Sequence, residues 1–165
     1  MPELTGRRVM LREVQAGDAD ALRAIHRTPA VSAWWGLPDP GFPFDDDPRS
    51  IRMTILLDEA IVGLVQFSEE HEPDFRHAWL DIFVDPARHR QGIATDAIET
   101  VIRHLVEVRG HHRVNIDPAT ANRAAIRCYE KVGFRPVGVM HAAWRDPSGD
   151  WRDCLLMELV VGGAG

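Results

Sequence analysis

HAWLDIFVDPARHRQGIAT, residues 77–95, decides how the rest of the chain must be arranged. His77–Asp85 reads as a strand that is apolar on both faces, the pattern of a strand in the middle of a sheet covered on both sides. Pro86–Gln91 is a loop. Gly92 then opens a helix running to Arg109, with Ala94, Ala97, Ile98, Val101, Ile102 and Leu105 on one apolar stripe. The loop brings Arg88, Arg90 and Thr95 to the point where the first N–H groups of that helix are unpaired and its dipole is positive, so the junction suits an anion. Gly92 and Ala94 are small enough for a pyrophosphate to approach the backbone. Asp81 stands where a central strand ordinarily carries something apolar. An anion cradle beside an out-of-place carboxylate marks a candidate active site.

Outward from this stretch, His112–Asp117 reads as a second strand that Pro118 ends, and Ala121–Val132 as a helix stopped by Gly133. Phe134–Trp144 and Trp151–Val161 form a long hairpin around the turn Asp146–Asp150, and the terminal GGAG reads as a frayed tail. On the amino-terminal side, Arg8–Val14 alternates as a strand, and Asp18 is placed to cap a helix carrying Ala19, Leu22, Ala24 and Ile25. Pro29 interrupts, and Val31–Trp35 makes a short helix that ends at Gly36. Leu37–Arg49, with four prolines and four aspartates, is a surface loop of a length often used for lids. Ile51–Asp58 and Ala60–Glu69 pair through a tight turn at Asp58–Glu59, and Glu70–Arg76 leads back into the central strand. The order β, α, α, β, β, β, α, β, α, β, β predicts one α/β domain over residues 1–165, a mixed sheet with helices on both faces, and neither a Rossmann fold nor a barrel.

A net charge of −6 argues against non-specific nucleic-acid binding and leaves room for a cationic small molecule. The amino-terminal MPELTGRRVMLREV has no apolar core of the kind a signal peptide carries, and no apolar run approaches the roughly 20 residues of a membrane span. These features predict a cytoplasmic protein that meets neither nucleic acid nor membrane, as a monomer or homodimer. Cys128 and Cys154 form neither a disulfide framework nor a CxxC pair, and Cys128 inside an amphipathic helix reads as a structural thiol. The eight histidines show no metal-ligand spacing, so no metal is expected.

A strand followed by PARHRQGIA and an amphipathic helix resembles the acetyl-CoA motif of the GNAT superfamily, (Q/R)xxGx(G/A). Gly92 and Ala94 fill its small positions, and His89 stands at the Q/R position, with Arg90 and Gln91 beside it. DPATANRAAIRCYEKVGFRPVG, Asp117–Gly138, is similar to the corresponding segment of aminoglycoside 6′-N-acetyltransferases, and Trp34–Trp35–Gly36 and Leu80–Asp81 fit the same group. The similarity covers most of the domain and is weakest over Pro38–Glu72 and in the last hairpin.

The resemblance implies the acyl-CoA N-acyltransferase fold, acetyl-CoA as cofactor, and direct transfer of its acetyl group to a primary amine. That amine would be the 6′-amino group of an aminoglycoside, or else a polyamine, a protein N-terminus or a hydroxylysine-type siderophore precursor. A non-catalytic acyl-CoA-binding module is the reading from another class. On the resemblance, Ile82, Phe83 and Val84 pair with the pantetheine arm like an added strand. His89, Arg90, Gln91, Gly92, Ile93, Ala94 and Thr95 hold the pyrophosphate, and Asn122, Ala125 and Tyr129 line the arm from the following helix, unless Asn122 only caps that helix. Asp81 either accepts the proton of the amine or holds its ammonium form. Asp117 shares that work or caps the next helix, and the Tyr129 hydroxyl protonates the leaving thiolate or simply packs in the core. Trp34, Trp35 and Trp79 are candidates for the acceptor wall. Asp81, Asp117 and Asp153, with Asp150, are candidates for its negative charge, and the Asp45–Asp47 run reads as a solvated face.

Overall fold

The computed structural model describes residues 1–45 and 47–162. Asp46 of the acidic run and the last three residues of the expected tail lie outside the described residues. Eight strands form one sheet in the order β1-β2-β3-β4-β5-β6-β8-β7. They are β1 (Leu4–Thr5), β2 (Val9–Glu13), β3 (Ser50–Leu57), β4 (Ala60–Glu70), β5 (His77–Val84), β6 (Arg113–Ile116), β7 (Arg135–Arg145) and β8 (Trp151–Val160). Every neighbouring pair is antiparallel except β5 with β6. The four α-helices are α1 (Ala19–His26), α2 (Pro29–Trp35), α3 (Ile93–Arg103) and α4 (Arg123–Val132). The mixed sheet with helices on both faces is the expected fold, with one strand, β1, added.

Alternation along β5 sorts its side chains onto two faces. Ala78, Leu80, Ile82 and Val84 join the main core with Ile93, Ala97, Ile98 and Val101 of α3. Phe83 points the other way and packs with Leu22 and Ile25 of α1, Val31 of α2, Phe42 and Leu64. Asp81 lies two residues before Phe83 and so belongs to the face covered by α1 and α2. The turn Asp58–Glu59 is tight because both residues adopt positive φ, 48° and 65°, which matches the right-handed twist of β3 and β4. Gly63 of β4 has no room for a side chain, since a Cβ there would meet the Phe83 carbonyl at 2.3 Å. That close approach presses β4 against the end of β5.

Three local expectations need correction. Pro29 starts α2 rather than interrupting a helix, because proline suits the first helical position where its missing N–H costs nothing. Asp18 does not cap α1 with its side chain. Its buried carboxylate accepts instead from Arg12 Nη1 and Nη2 at 2.6 and 2.9 Å, Gln15 N at 2.9 Å and Thr54 Oγ1 at 2.8 Å. The last turns of the helix expected to reach Arg109 are π-helical, over His104–Val108.

Candidate active site

β5 and β6 pair through Ala78–Val114 and Trp79–Asn115, and the described residues show no further pairing between them. β6 ends at Ile116 because Asp117–Pro118 turns the chain away, and Ala119 then bridges to Cys154 on β8. From Leu80 onward one edge of β5 therefore faces a cleft. That edge carries the backbone groups of Ile82 and Val84, whereas the Phe83 carbonyl, expected there too, turns toward Gly63 of β4 because backbone groups alternate between the two edges of a strand.

Trp79 and Asn115 are register partners, so their side chains share a face of the sheet. Asp81 and Asp117 each lie two residues further along and flank the cleft on that same face. Asp81 Oδ1 accepts the N–H of Ile82 at 2.9 Å. The residue is open to solvent through the cleft, yet protein surrounds it closely enough that desolvation pushes its carboxyl up to about 7. The Ile82 N–H opposes that rise and the charge of Asp117 adds to it. Burial also raises the Asp117 carboxyl. Its carboxylate accepts from no other described side chain or backbone N–H, and α4 is capped by Asn122 instead. Of the two readings of Asp117, the cap is therefore excluded.

Tyr129 is 6% exposed and stacks edge-on to Phe134 with ring centroids 6.2 Å apart. Its hydroxyl makes no hydrogen bond to a described residue and is not among the side-chain atoms sealed from solvent. Desolvation holds the phenol well above its ordinary value, and the nearby charges of Asp81 and Asp117 add to the effect. The protonated form of the hydroxyl is thus favoured. Asn122 Oδ1 accepts from Ala125 N at 3.3 Å, which leaves its NH₂ group for a ligand.

The expected anion cradle is shaped by two positive-φ residues, Arg90 at 65° and Gly92 at 74°. Gly92 is the residue before α3, and a Cβ there would point into open space, the volume an anion would fill. The helix dipole and the first N–H groups of α3 face the same point. Arg8 Nη1 donates to the Gln91 carbonyl at 2.7 Å. Asp96 of α3 accepts from the backbone N–H groups of Arg7, Arg8 and Val9 at 2.8, 2.8 and 3.0 Å, so the β1–β2 turn braces the cradle. His89 is exposed, with Nε2 3.2 Å from the Val84 carbonyl. Thr95 Oγ1 contacts Cys128 Sγ at 3.6 Å, joining α3 to α4.

The acceptor side divides the predicted residues. Trp35 packs edge-on against Phe83 at 5.0 Å between ring centroids, on the face of Asp81, whereas Trp34 is exposed and enters no aromatic pair among the described residues. Trp79 lies beside the cleft, and its Nε1 donates to His77 Nε2 at 3.1 Å. Asp153 does not bring its carboxylate to the Asp81–Asp117 pair. The carboxylate is engaged in the hairpin, where Ala142 N donates to it at 2.8 Å and His141 Nδ1 lies 3.2 Å away. Gln66 and Cys154, which carry no signal in the sequence pattern, stand beside the carboxylate pair. Gln66 is the register partner of Asp81. The Cys154 thiol is pushed up to about 11 by burial and by the charges of Asp117, Asp153 and Asp81.

The described residues include no helix long and apolar enough to cross a membrane. The model of the Acetyltransferase (GNAT) family matches residues 11–134. Human N-acetyltransferase 8 is 31% identical over 84 residues, which are 49% of this chain and 37% of that protein. The probable N-acetyltransferase YjcK of Bacillus subtilis is 24% identical over 103 residues, 62% of this chain and 56% of that protein. The matches thus span about half or less of these curated relatives.

Among solved structures, Mycobacterium smegmatis RimJ in complex with CoA-disulfide superposes with a TM-score of 0.83 at 23% identity, covering 96% of this chain and 87% of that one. Spermidine N-acetyltransferase from Vibrio cholerae in complex with CoA and spermine gives 0.78 at 20% identity over 93% and 95%. The aminoglycoside acetyltransferase AAC(6′)-Ib in complex with coenzyme A gives 0.75 at 20% identity over 92% and 94%. These three share the fold of this chain.

Proposed function

The chain belongs to the acetyltransferase (GNAT) family, and on that premise we propose that it transfers acetyl from acetyl-CoA to a primary amine of a small polycation. The 6′-amino group of an aminoglycoside is the acceptor this reading favours. The observation that carries it is Asp81, a cleft-facing carboxyl held near neutrality beside a second carboxylate that no other described residue engages.

The fit of the cofactor rests on three features of this chain. The unpaired edge of β5 suits an extended arm with amide groups, the Arg90–Gly92 turn leaves room for phosphate at the start of α3, and the cleft joins the two. Ile82 and Val84 would hold the pantetheine, and the 89–95 segment the pyrophosphate. Asn122 NH₂ is left to donate from the other wall. Bound acetyl-CoA supplies an activated thioester carbonyl.

This chain's own residues then do the acid–base work. Asp81 and Asp117 attract the ammonium form, and Asp81, deprotonated above about pH 7, takes the proton that the amine must lose. A backbone N–H of the open β5 edge donates to the carbonyl oxygen as its charge grows. Tyr129, which keeps its proton, donates to the departing sulfur. Trp35 and Trp79 border the acceptor side, where aromatic faces and carboxylates suit a cationic sugar. A polyamine is the second reading, favoured by the same carboxylate pair, which needs only an ammonium group to bind.

The test is acetyl-CoA-dependent thiol release with kanamycin, gentamicin, spermidine and short peptides. Release with 6′-amino sugars, and none with analogues bearing a 6′-hydroxyl, is the expected result. Turnover confined to spermidine or to peptides would discard the sugar and keep acetyl transfer. Acetyl-CoA binding without turnover on any amine would leave an acyl-CoA-binding module.

A further inference from the structure

Gln66 of β4 lies directly opposite Asp81 in the antiparallel register, so the two side chains leave the sheet on the same face about 5 Å apart. On its other side Gln66 faces Arg52 of β3. Arg52 Nε donates to Gln66 Oε1 at 3.0 Å. A guanidinium only donates, so the carbonyl end of the Gln66 amide must turn toward Arg52 and the NH₂ end away from it. Arg52 is itself braced. Nη1 donates to the Pro43 carbonyl at 2.9 Å, Nη1 and Nη2 grip the Asp45 carboxylate at 2.5 and 3.2 Å, and the guanidinium lies 5.2 Å from the Phe42 ring centroid. The orientation of the Gln66 amide is therefore fixed from the loop side. Its NH₂ group donates to no described residue and is not among the buried polar atoms cut off from solvent, although the residue is half-buried. An oriented, unpaired donor thus stands beside the carboxylate at which the amine is activated.

We propose that Gln66 is a specificity-determining residue of the acceptor site, donating to an oxygen on the carbon next to the amine-bearing carbon. The acceptor class it selects is the 1,2-amino alcohol, amino sugars included, over plain alkyl polyamines. The assignment rests on the amine being bound at Asp81. Side chains that leave neighbouring strands on one face, their Cβ atoms about 5 Å apart, suit a ligand with an amine and an oxygen on adjacent carbons, one for each side chain. An alkylamine that covers the Gln66 NH₂ without offering an acceptor leaves a desolvated donor unpaired, a loss of about tenfold in affinity.

The experiment is calorimetric titration of the CoA-loaded protein with 1,3-diaminopropan-2-ol and with 1,3-diaminopropane, which differ by one hydroxyl. The wild-type protein is expected to bind the hydroxylated diamine about fivefold to tenfold more tightly. Gln66→Leu is expected to level the two while its affinity for CoA, which reports an intact fold, stays unchanged. Equal binding by the wild type, or a preference that survives in Gln66→Leu, overturns the assignment. Thiol release with acetyl-CoA separates the two readings. A Gln66-dependent binding preference without acetylation of either diamine or of any amine in the panel refutes acetyl transfer and upholds Gln66, whereas equal binding with acetylation does the reverse. If Gln66→Leu moves the pH midpoint of turnover and leaves the binding ratio alone, the NH₂ group serves Asp81 and the assignment falls.

Discussion

Asp18 and Asp81 are both carboxylates on the α1–α2 side of the sheet, and they sit in opposite electrostatic states. Asp18 is buried where α1 meets β2 and β3, and four hydrogen bonds from Arg12, Gln15 and Thr54 satisfy it. The Arg12 guanidinium holds it down to about 2. Asp81 is more open to water but has a single backbone donor and an acidic neighbour, and it is raised to about 7. What separates them is the supply of partners, since Asp18 has less contact with water and yet ionises far more readily. A carboxylate fully supplied with donors holds a fold together. One left short of donors has binding capacity to spare, at some cost in stability.

Replacing each aspartate by asparagine should therefore break different properties. Asp81→Asn is expected to lower kcat about a thousandfold, within the range for loss of a general base, and to abolish an ascending limb near pH 7 in the pH profile. The same change should stabilise the protein. A carboxyl raised on folding adds stability below its unfolded value, and that stability is lost as pH rises through the folded value. The wild type is thus penalised above about pH 7, where Asp81→Asn should melt a few degrees higher, with no gain at pH 4. Thermal melts at the two pH values alongside steady-state kinetics check both halves. An unaltered kcat would remove Asp81 from the chemistry.

Asp18→Asn should do the opposite. Arg12 would keep a partly buried charge without its counterion, at a cost of about 3 kcal/mol, while kcat per folded molecule stays as in the wild type. The sign is reversed as well. A depressed carboxyl contributes stability above its unfolded value, and that contribution is lost as pH falls from about 4 toward about 2. Denaturant unfolding at pH 7 and pH 2 reads the difference, and a gap between variant and wild type that fails to narrow in acid would refute the ion-pair account.

The difference between the two aspartates was only half visible in the sequence. Periodicity exposed β5, the cradle and α3, because a two-faced apolar strand and a 3.6-residue stripe survive without knowledge of neighbours. Asp81 stood out for the same reason, as a charge interrupting an apolar run. Asp18 looked like a helix cap because capping is read from local order, whereas its real partners, Arg12 and Thr54, come from two other strands. Gln66 was missed on similar grounds. The role proposed for it depends on cross-strand register with Asp81 and Arg52, and a slip of one residue would put it on the other face. The added strand β1 is two residues long, too short for alternation to show. The π-helical end of α3 has no local signal that we can identify.

Asp153 supplies the smallest expected effect and the sharpest limit on the comparison. Acidic character alone made it a candidate for the substrate site, yet its carboxylate stabilises a bulge in β7, where Ala142 adopts φ 48° and the register with β8 shifts between Met140 and Trp144. Asparagine keeps an oxygen for the Ala142 N–H and removes the charge. If partners rather than charge decide what a carboxylate does, Asp153→Asn should leave Tm within about 1 °C and the KM for a polycationic amine within about twofold. The substitution also tests reach, because Asp153 adds to the field felt by Cys154 at the edge of the cleft. A KM raised several-fold for a polyamine, with KM for acetyl-CoA unchanged, would mean that a long acceptor extends past Asp117 to the hairpin and that charge at a distance contributes to binding. An unchanged KM confines the acceptor's electrostatic contacts to the cleft between β5 and β6, as expected if only carboxylates short of partners bind it.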